Sequence, residues 1–160
     1  MGALGPRNAI KENLLRIAKE QYGYFVANQA IKSGYAKNNH SYHINHNNWL
    51  KIDNGLFRLP GYIDSLDSEF TRWYLWSRNQ DGQPQGVISH QSALKLRDLG
   101  DYDPENVHLT VPISFRNHDQ QGVTIHKASL NLSAIESRFG FLVTRMLRTL
   151  EDLRILLEEK

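Results

Sequence analysis

Cysteine is missing altogether from the 160 residues. Its absence removes disulfides and thiolate metal sites, and it fits a reducing, cytoplasmic setting. Long apolar runs are missing too. None approaches the roughly 20 residues that a membrane-spanning helix needs, so no membrane partner is expected. Met1 to Arg16 is too polar for a secretion signal and lacks the charged-then-apolar order of one. Internal repeats and low-complexity tracts are also lacking. What is present is a chain with 40% hydrophobic residues, enough for a packed core and too many for a disordered segment. Its length suits one compact domain or two small ones.

Acidic residues are scarce in one part only. Residues 1–63 hold eight Lys or Arg against three acids (Glu12, Glu20 and Asp53), a net +5, whereas the remainder holds 11 basic and 14 acidic side chains, a net −3. A basic front joined to an acidic back points to a polyanion as the partner of the first part. On charge alone, chance drift in a soluble protein explains the split equally well.

The basic part divides into short elements. Residues 9–21 read as a helix with Ile10, Leu14, Ile17 and Ala18 on one apolar face, stopped by Gly23. Tyr24-Phe25-Val26 is extended. Residues 27–33 form a short helix with Ala30 and Ile31 as core contacts and Gly34 as its stop. Residues 37–47 form a third helix built from mediocre helix formers, Asn, His, Ser and Tyr. From Trp49 to Pro60 the pattern is a hairpin, with Asn54-Gly55 as a type I′ turn. A two-residue loop sets Asp53 opposite Leu56, Ile52 opposite Phe57, Lys51 opposite Arg58 and Leu50 opposite Leu59. Leu50, Ile52, Phe57 and Leu59 then share the inner face, and Lys51 and Arg58 the outer one.

Helix, strand, helix, turn, helix and hairpin is the order of a winged helix-turn-helix, whose third helix enters the major groove while the hairpin lies on the backbone. His40, His43, Ile44 and Asn47 share one face of the third helix. Lys37, Asn38, Ser41, Tyr42, Asn45 and Asn48 cover the rest, and such side chains hydrogen-bond base edges and phosphates. In the hairpin, Lys51 and Arg58 would repel each other unless a phosphate lay between them, or unless Asp53 neutralised the pair. Asn54 sits at the hairpin tip. The expected DNA-binding set is therefore Lys37, Asn38, Ser41, Tyr42, Asn45, Lys51, Asn54 and Arg58.

The acidic part alternates helices and strands. Residues 67–78 form a helix with Phe70, Trp73, Tyr74 and Ser77 down one side, Trp73 in the core and Trp76 at an interface. After a loop at 79–86 come a strand at 87–88 and a helix capped by Ser89 and closed by Gly100. Strands follow at 107–111, half-buried by its alternation, at 122–128 and at 141–143. Ser133-Ala-Ile-Glu136 has a capping-box pattern. Thr144 caps a last helix with Met146, Leu147, Leu150, Leu153 and Leu157 on one core-facing side, too short for a zipper. The fold class is thus α+β, an N-terminal winged helix-turn-helix at 1–62 followed by a small mixed α/β domain at 66–160.

No constellation carries enzyme chemistry, and no catalytic residue or cofactor is expected. His40, His43 and His46 at i, i+3 and i+6 do not converge on one ion, and no carboxylate joins them, so no metal is expected there. His90, His108 and His126 lie on separate elements; they could meet in space, but Ser89-His90 is not a triad.

Several ordered segments resemble the AbiEi-type antitoxins of bacterial and phage abortive-infection systems. In the first part these are Gly23-Tyr-Phe-Val-Ala-Asn-Gln-Ala30, Ser33-Gly-Tyr35 and Gly55-Leu-Phe-Arg-Leu-Pro60. In the second they are Val87-Ile-Ser-His-Gln-Ser-Ala-Leu94, Val107-His-Leu-Thr-Val-Pro112, Gly122-Val-Thr-Ile-His-Lys127, Phe141-Leu-Val-Thr144 and Arg148-Thr-Leu-Glu-Asp-Leu153. The resemblance implies a repressor of its own operon that contacts operator DNA through Lys37, Asn38, Ser41, Lys51 and Arg58. It also implies a second domain that opposes a nucleotidyltransferase-like toxin. An alternative from a different class is a protein-interaction module that holds a toxin, with DNA binding secondary or absent. Two half-sites would favour a dimer, and adjacent repeats a monomer.

Overall fold

The computed structural model describes residues 6–100 and 105–158, without the side chains at 156 and 157. The fold is mixed α+β, and the chain divides into two compact units, Met1–Ser68 and Glu69–Lys160. Among the described residues no helix is long and apolar enough to cross a membrane.

The first unit runs α1 (Pro6–Lys19), β1 (Tyr24–Val26), α2 (Ala27–Ser33), a 3-10 turn (Lys37–Asn39), α3 (His40–Asn45), β2 (Leu50–Asp53) and β3 (Leu56–Arg58). Helix α1 starts earlier than its apolar face implies, because Pro6 is well tolerated in a first turn where its missing N–H leaves no bond unmade. It ends with Tyr22 and Gly23 both at positive φ, and the Gly23 N–H bonds back to the Ala18 carbonyl at 2.8 Å. The expected third helix breaks in two. Its Asn- and His-rich sequence sustains only the 3-10 turn and the six residues of α3 before Asn47 turns left-handed.

The core of this unit is aromatic. Trp49 packs edge-on to Phe25, Tyr35 and His40 at centroid distances of 5.0, 5.2 and 5.2 Å, and stacks on His43 at 4.7 Å. Leu14, Ala18, Ala30 and Phe57 complete it. Ile31, expected beside Ala30, instead faces solvent, because a seven-residue helix presents too little surface to bury two adjacent positions.

The hairpin forms, but not in the expected register. Strand β3 is central in the order β1-β3-β2. Leu50 faces Arg58, Lys51 faces Phe57 and Asp53 faces Leu56, with Ile52 as an extra residue between. On its other side β3 pairs Tyr24 with Arg58, Phe25 with Phe57 and Val26 with Leu56. Two neighbours pin Phe57 into the aromatic core, and the bulge at Ile52 absorbs the difference in β2. Leu50, expected inside, is exposed as a result. Nor is the turn type I′, which needs positive φ at both residues: only Gly55 has it.

A Cβ on Gly23 would collide with the Tyr62 ring, at a φ of +87° that disfavours any other residue. Gly23→Ala is expected to lower the stability of this unit by about 1–2 kcal/mol, since Tyr62 is exposed enough to swing aside but the left-handed backbone is not relieved. A urea midpoint equal to that of the parent protein would contradict this.

The second unit contains α4 (Leu66–Trp76, which starts at the end of the first unit), β4 (Val87–Ile88), α5 (His90–Leu96), β5 (Val107–Val111), β6 (Val123–Lys127), β7 (Ile135–Arg138), β8 (Phe141–Thr144) and α6 (Met146–Glu158). The strands form one mixed sheet in the order β6-β5-β4-β8-β7. β4 runs parallel to β8 and antiparallel to β5, while β5 and β6 are parallel. Phe70 and Phe141 meet edge-on, and Trp76 lies between Trp73 and Phe115 in the core.

Four local expectations change here. The capping-box tetrapeptide is a 3-10 turn (Leu132–Ala134) leading into β7, which pairs antiparallel with β8 from Ile135–Thr144 to Arg138–Phe141. β5 is buried at all five positions rather than on alternate ones, because α5 packs on the face that carries His108 and Thr110. Thr144 ends β8, and its hydroxyl meets that of Thr149 at 2.6 Å instead of a helix N–H. Helix α6 buries Thr149 and Asp152, half-buries Met146 and Leu153, and turns Leu147 and Leu150 outward; the Leu157 side chain lies outside the described residues.

Candidate nucleic-acid interface

Helix α3 has an anchored side and an open side. On the anchored side His40 is buried, and its Nε2–H donates to the Tyr35 carbonyl at 3.2 Å. His43 lies flat on Trp49, and its Nδ1 accepts from the Asn48 amide at 3.1 Å. Burial, and then the neighbouring His40 and His46, lower the pKa of His43 from its ordinary value, so it anchors as a neutral ring at pH 7. Ile44 packs on the same core. His46 is exposed, stacks on Tyr42 at 3.9 Å and donates from Nδ1 to the Tyr42 carbonyl at 2.8 Å. The three histidines therefore support the helix, and among the described residues no group of His, Asp or Glu is arranged to hold a metal ion.

The open side carries Lys37, Asn38, Ser41, Tyr42 and Asn45, all exposed. Lys37, Asn38, Ser41 and Asn45 make no side-chain hydrogen bond within the described residues. Asn48, expected among them, is committed to His43. In the hairpin, Lys51 and Asn54 are exposed, and the Asn54 N–H is held by Asp53 Oδ1 at 2.7 Å.

Arg58 does not join this surface. It is 6% exposed. Its guanidinium lies 4.4 Å from the centre of the Tyr24 ring, donates from Nε to the Tyr22 carbonyl at 3.0 Å, and pairs through Nη1 with Asp64. The expected facing of Lys51 and Arg58, and the repulsion inferred from it, are absent because Leu50 occupies the position opposite Arg58.

The second unit gathers three histidines that the sequence scatters. The His90 ring stacks on His126 at 3.7 Å, and His108 Nδ1 lies 2.9 Å from His126 Nε2. Thr110 donates its hydroxyl proton to Ser89 Oγ at 2.7 Å, and Ser89 in turn donates to His90 Nδ1 at 2.7 Å. Ser89 stands at the N-cap of α5 as expected, but its hydroxyl serves this chain and not a helix N–H. Burial, the neighbouring histidines and Arg148 push His90 down to about 3. Burial and His108 push His126 down to about 4, against the opposing pull of Asp119. Both are neutral at pH 7. Their convergence is legible from one signal. In the parallel pair β5–β6, His108 lies beside Thr124 and Thr110 beside His126, so the polar positions of both strands fall on one face. Ser89 is fully buried and His90 and His108 nearly so, whereas His126 is half-buried.

No family model matches this chain, and no curated protein matches it.

Proposed function

We propose that the first unit is a winged helix-turn-helix that binds duplex DNA, and that the chain is a sequence-specific regulator acting on the operator upstream of its own gene. The observation that carries this reading is the open side of the 3-10 turn and α3. Lys37, Asn38, Ser41 and Asn45 stand exposed and unengaged on a helix whose other side is locked to an aromatic core. Short amide, hydroxyl and ammonium groups are the chemistry that reads base edges and phosphates. Lys51 and Asn54 on the hairpin extend that chemistry, and the net +5 of residues 1–63 supplies the long-range attraction.

A gel shift on the duplex upstream of the gene tests this. Binding is expected at low salt, and Lys37→Ala with Lys51→Ala is expected to weaken it about tenfold or more. The same pair should reduce the salt slope by roughly one unit for each lost phosphate contact. Absence of binding at low salt, or a double variant that binds like the parent, would overturn it. The resemblance to AbiEi-type antitoxins extends the proposal to a second unit that counters a nucleotidyltransferase-like toxin. Co-purification of the full chain with the product of the adjacent gene is the experiment for that part.

A further inference from the structure

Helix α6 has a second face that the fold leaves unused. Its inner side holds Met146, Thr149, Asp152 and Leu153. At about 100° per residue, Leu147, Leu150, Glu151, Arg154, Ile155 and Glu158 form an outward stripe about 140° wide. The three apolar members are 84%, 50% and 43% exposed for Leu147, Leu150 and Ile155. Exposed leucine and isoleucine clustered on one helix face mark an interaction surface more than scattered ones do.

We propose that this stripe docks on the same stripe of a second copy of the chain, with the two α6 helices antiparallel. The charge order selects both the partner and the direction. With a two-fold axis between residues 152 and 153, Glu151 of one copy meets Arg154 of the other, and by symmetry the reverse pair forms as well. The same register lays Leu147 over the stem of Glu158, and it leaves Leu150 and Ile155 on opposite edges of the stripe, flanking the charged pairs. In a parallel pair, Glu151 would face Glu151 and Arg154 would face Arg154, and the helix dipoles would align unfavourably. Within one copy Arg154 already leans toward Glu158 at 3.6 Å, but both are about two-thirds exposed and that contact is easily exchanged. Three apolar side chains per copy make a small interface, at the low end for a specific complex, so the dimer is a weak one with a dissociation constant in the micromolar range, roughly. The proposal is independent of the DNA-binding one, since it concerns the free protein.

Sedimentation equilibrium of the full chain over a wide concentration range decides it. The parent protein is expected to show a monomer–dimer equilibrium. Glu151→Arg alone and Arg154→Glu alone each place like charges across the axis, and each should weaken self-association at least tenfold. An equimolar mixture of the two variants should recover association to near the parent level as a heterodimer, because both cross-pairs are then opposite in sign. Leu147→Ser should weaken it too. All of these positions are exposed, and unchanged circular dichroism melts confirm that the variants fold. A parent protein that stays monomeric at the highest concentration would overturn the proposal. So would a dimer indifferent to the charge reversals, or a mixture that fails to recover.

Discussion

Replacing Arg58 with Ala is expected to destabilise the first unit by about 2–4 kcal/mol, while Lys51→Ala changes its stability by less than about 0.5 kcal/mol. The two cations lie on adjacent strands of one hairpin, yet one is buried and the other exposed. The ion pair with Asp64 supplies little of the difference, because the Asp64 side chain is 90% exposed and its charge is well solvated. The part-buried bond from Arg58 Nε to the Tyr22 carbonyl matters more, since a hydrogen bond from a charged donor contributes roughly 1.5–3 kcal/mol. The guanidinium over Tyr24 adds about 0.5–1 kcal/mol, and truncation leaves a gap in the layer beneath Tyr62. Hydrogen exchange of the β1 and β3 amides reads the loss locally: protection should fall in Arg58→Ala and stay unchanged in Lys51→Ala and Asp64→Asn. Equal protection in all three would show that Arg58 is no strut.

Acid is expected to unfold the second unit between pH 6.5 and about 4. Above pH 6.5, His90 and His126 are neutral in the folded and unfolded chain alike, and the cluster contributes fully. Below it, the unfolded chain takes up protons that the folded one refuses, down to about 4 for His126 and about 3 for His90. Each group then removes roughly 1.4 kcal/mol of stability per pH unit. Allowing for the partial exposure of His126, the pair amounts to about 2–4 kcal/mol by pH 5, a large share of the stability of a small domain. The diagnostic variant is His90→Asn, because Asn tolerates the φ of +55° at this position. Urea midpoints at pH 7.5, 6.0 and 5.0, followed by exchange of the β5 and β6 amides, should show a pH slope shallower by about one proton in the variant. Identical slopes would mean that carboxylates, not this cluster, set the acid limit.

Some local signals decide local structure, although the Asn54-Gly55 turn is not the type I′ that its sequence favours. The spacing of Leu14 and Ala18, the glycine stops at 23 and 34, and the Asn54-Gly55 hairpin are each decided by neighbours in sequence, and each is where it was expected. What was not legible depends on neighbours far away. The hairpin register follows from counting across one turn, but β3 also pairs with β1, some thirty residues upstream, and three residues of Tyr-Phe-Val carry no register of their own. Arg58 went from surface to interior through that second pairing. In α6, the apolar period selected Leu147 and Leu150, whereas the buried side is held by polar groups: Thr149 to Thr144, and Asp152 to Arg148 at 2.8 Å. A helix with two plausible faces cannot be oriented by hydrophobicity alone. Ser133 to Glu136 fitted a helix start by composition, but the tight turn at Phe139-Gly140, with Gly140 at φ +92°, had already made the segment one arm of a hairpin.

The division of α3 into a locked side and an open side has a consequence for how such a surface can change. A helix of six poor formers has almost no stability of its own, so its position is dictated by His40, His43 and Ile44 against Trp49 and its neighbours. Among the outward residues Tyr42 packs on His43 and His46, whereas the side chains of Lys37, Asn38, Ser41 and Asn45 take no part in that hold. Lys37, Asn38, Ser41 and Asn45 can therefore be exchanged one at a time, each leaving the scaffold within about 0.5 kcal/mol of where it was. On the proposed DNA-binding reading, preference and architecture are stored in different letters of the same short stretch, and the first can drift, or be rewritten by design, while the second stands still.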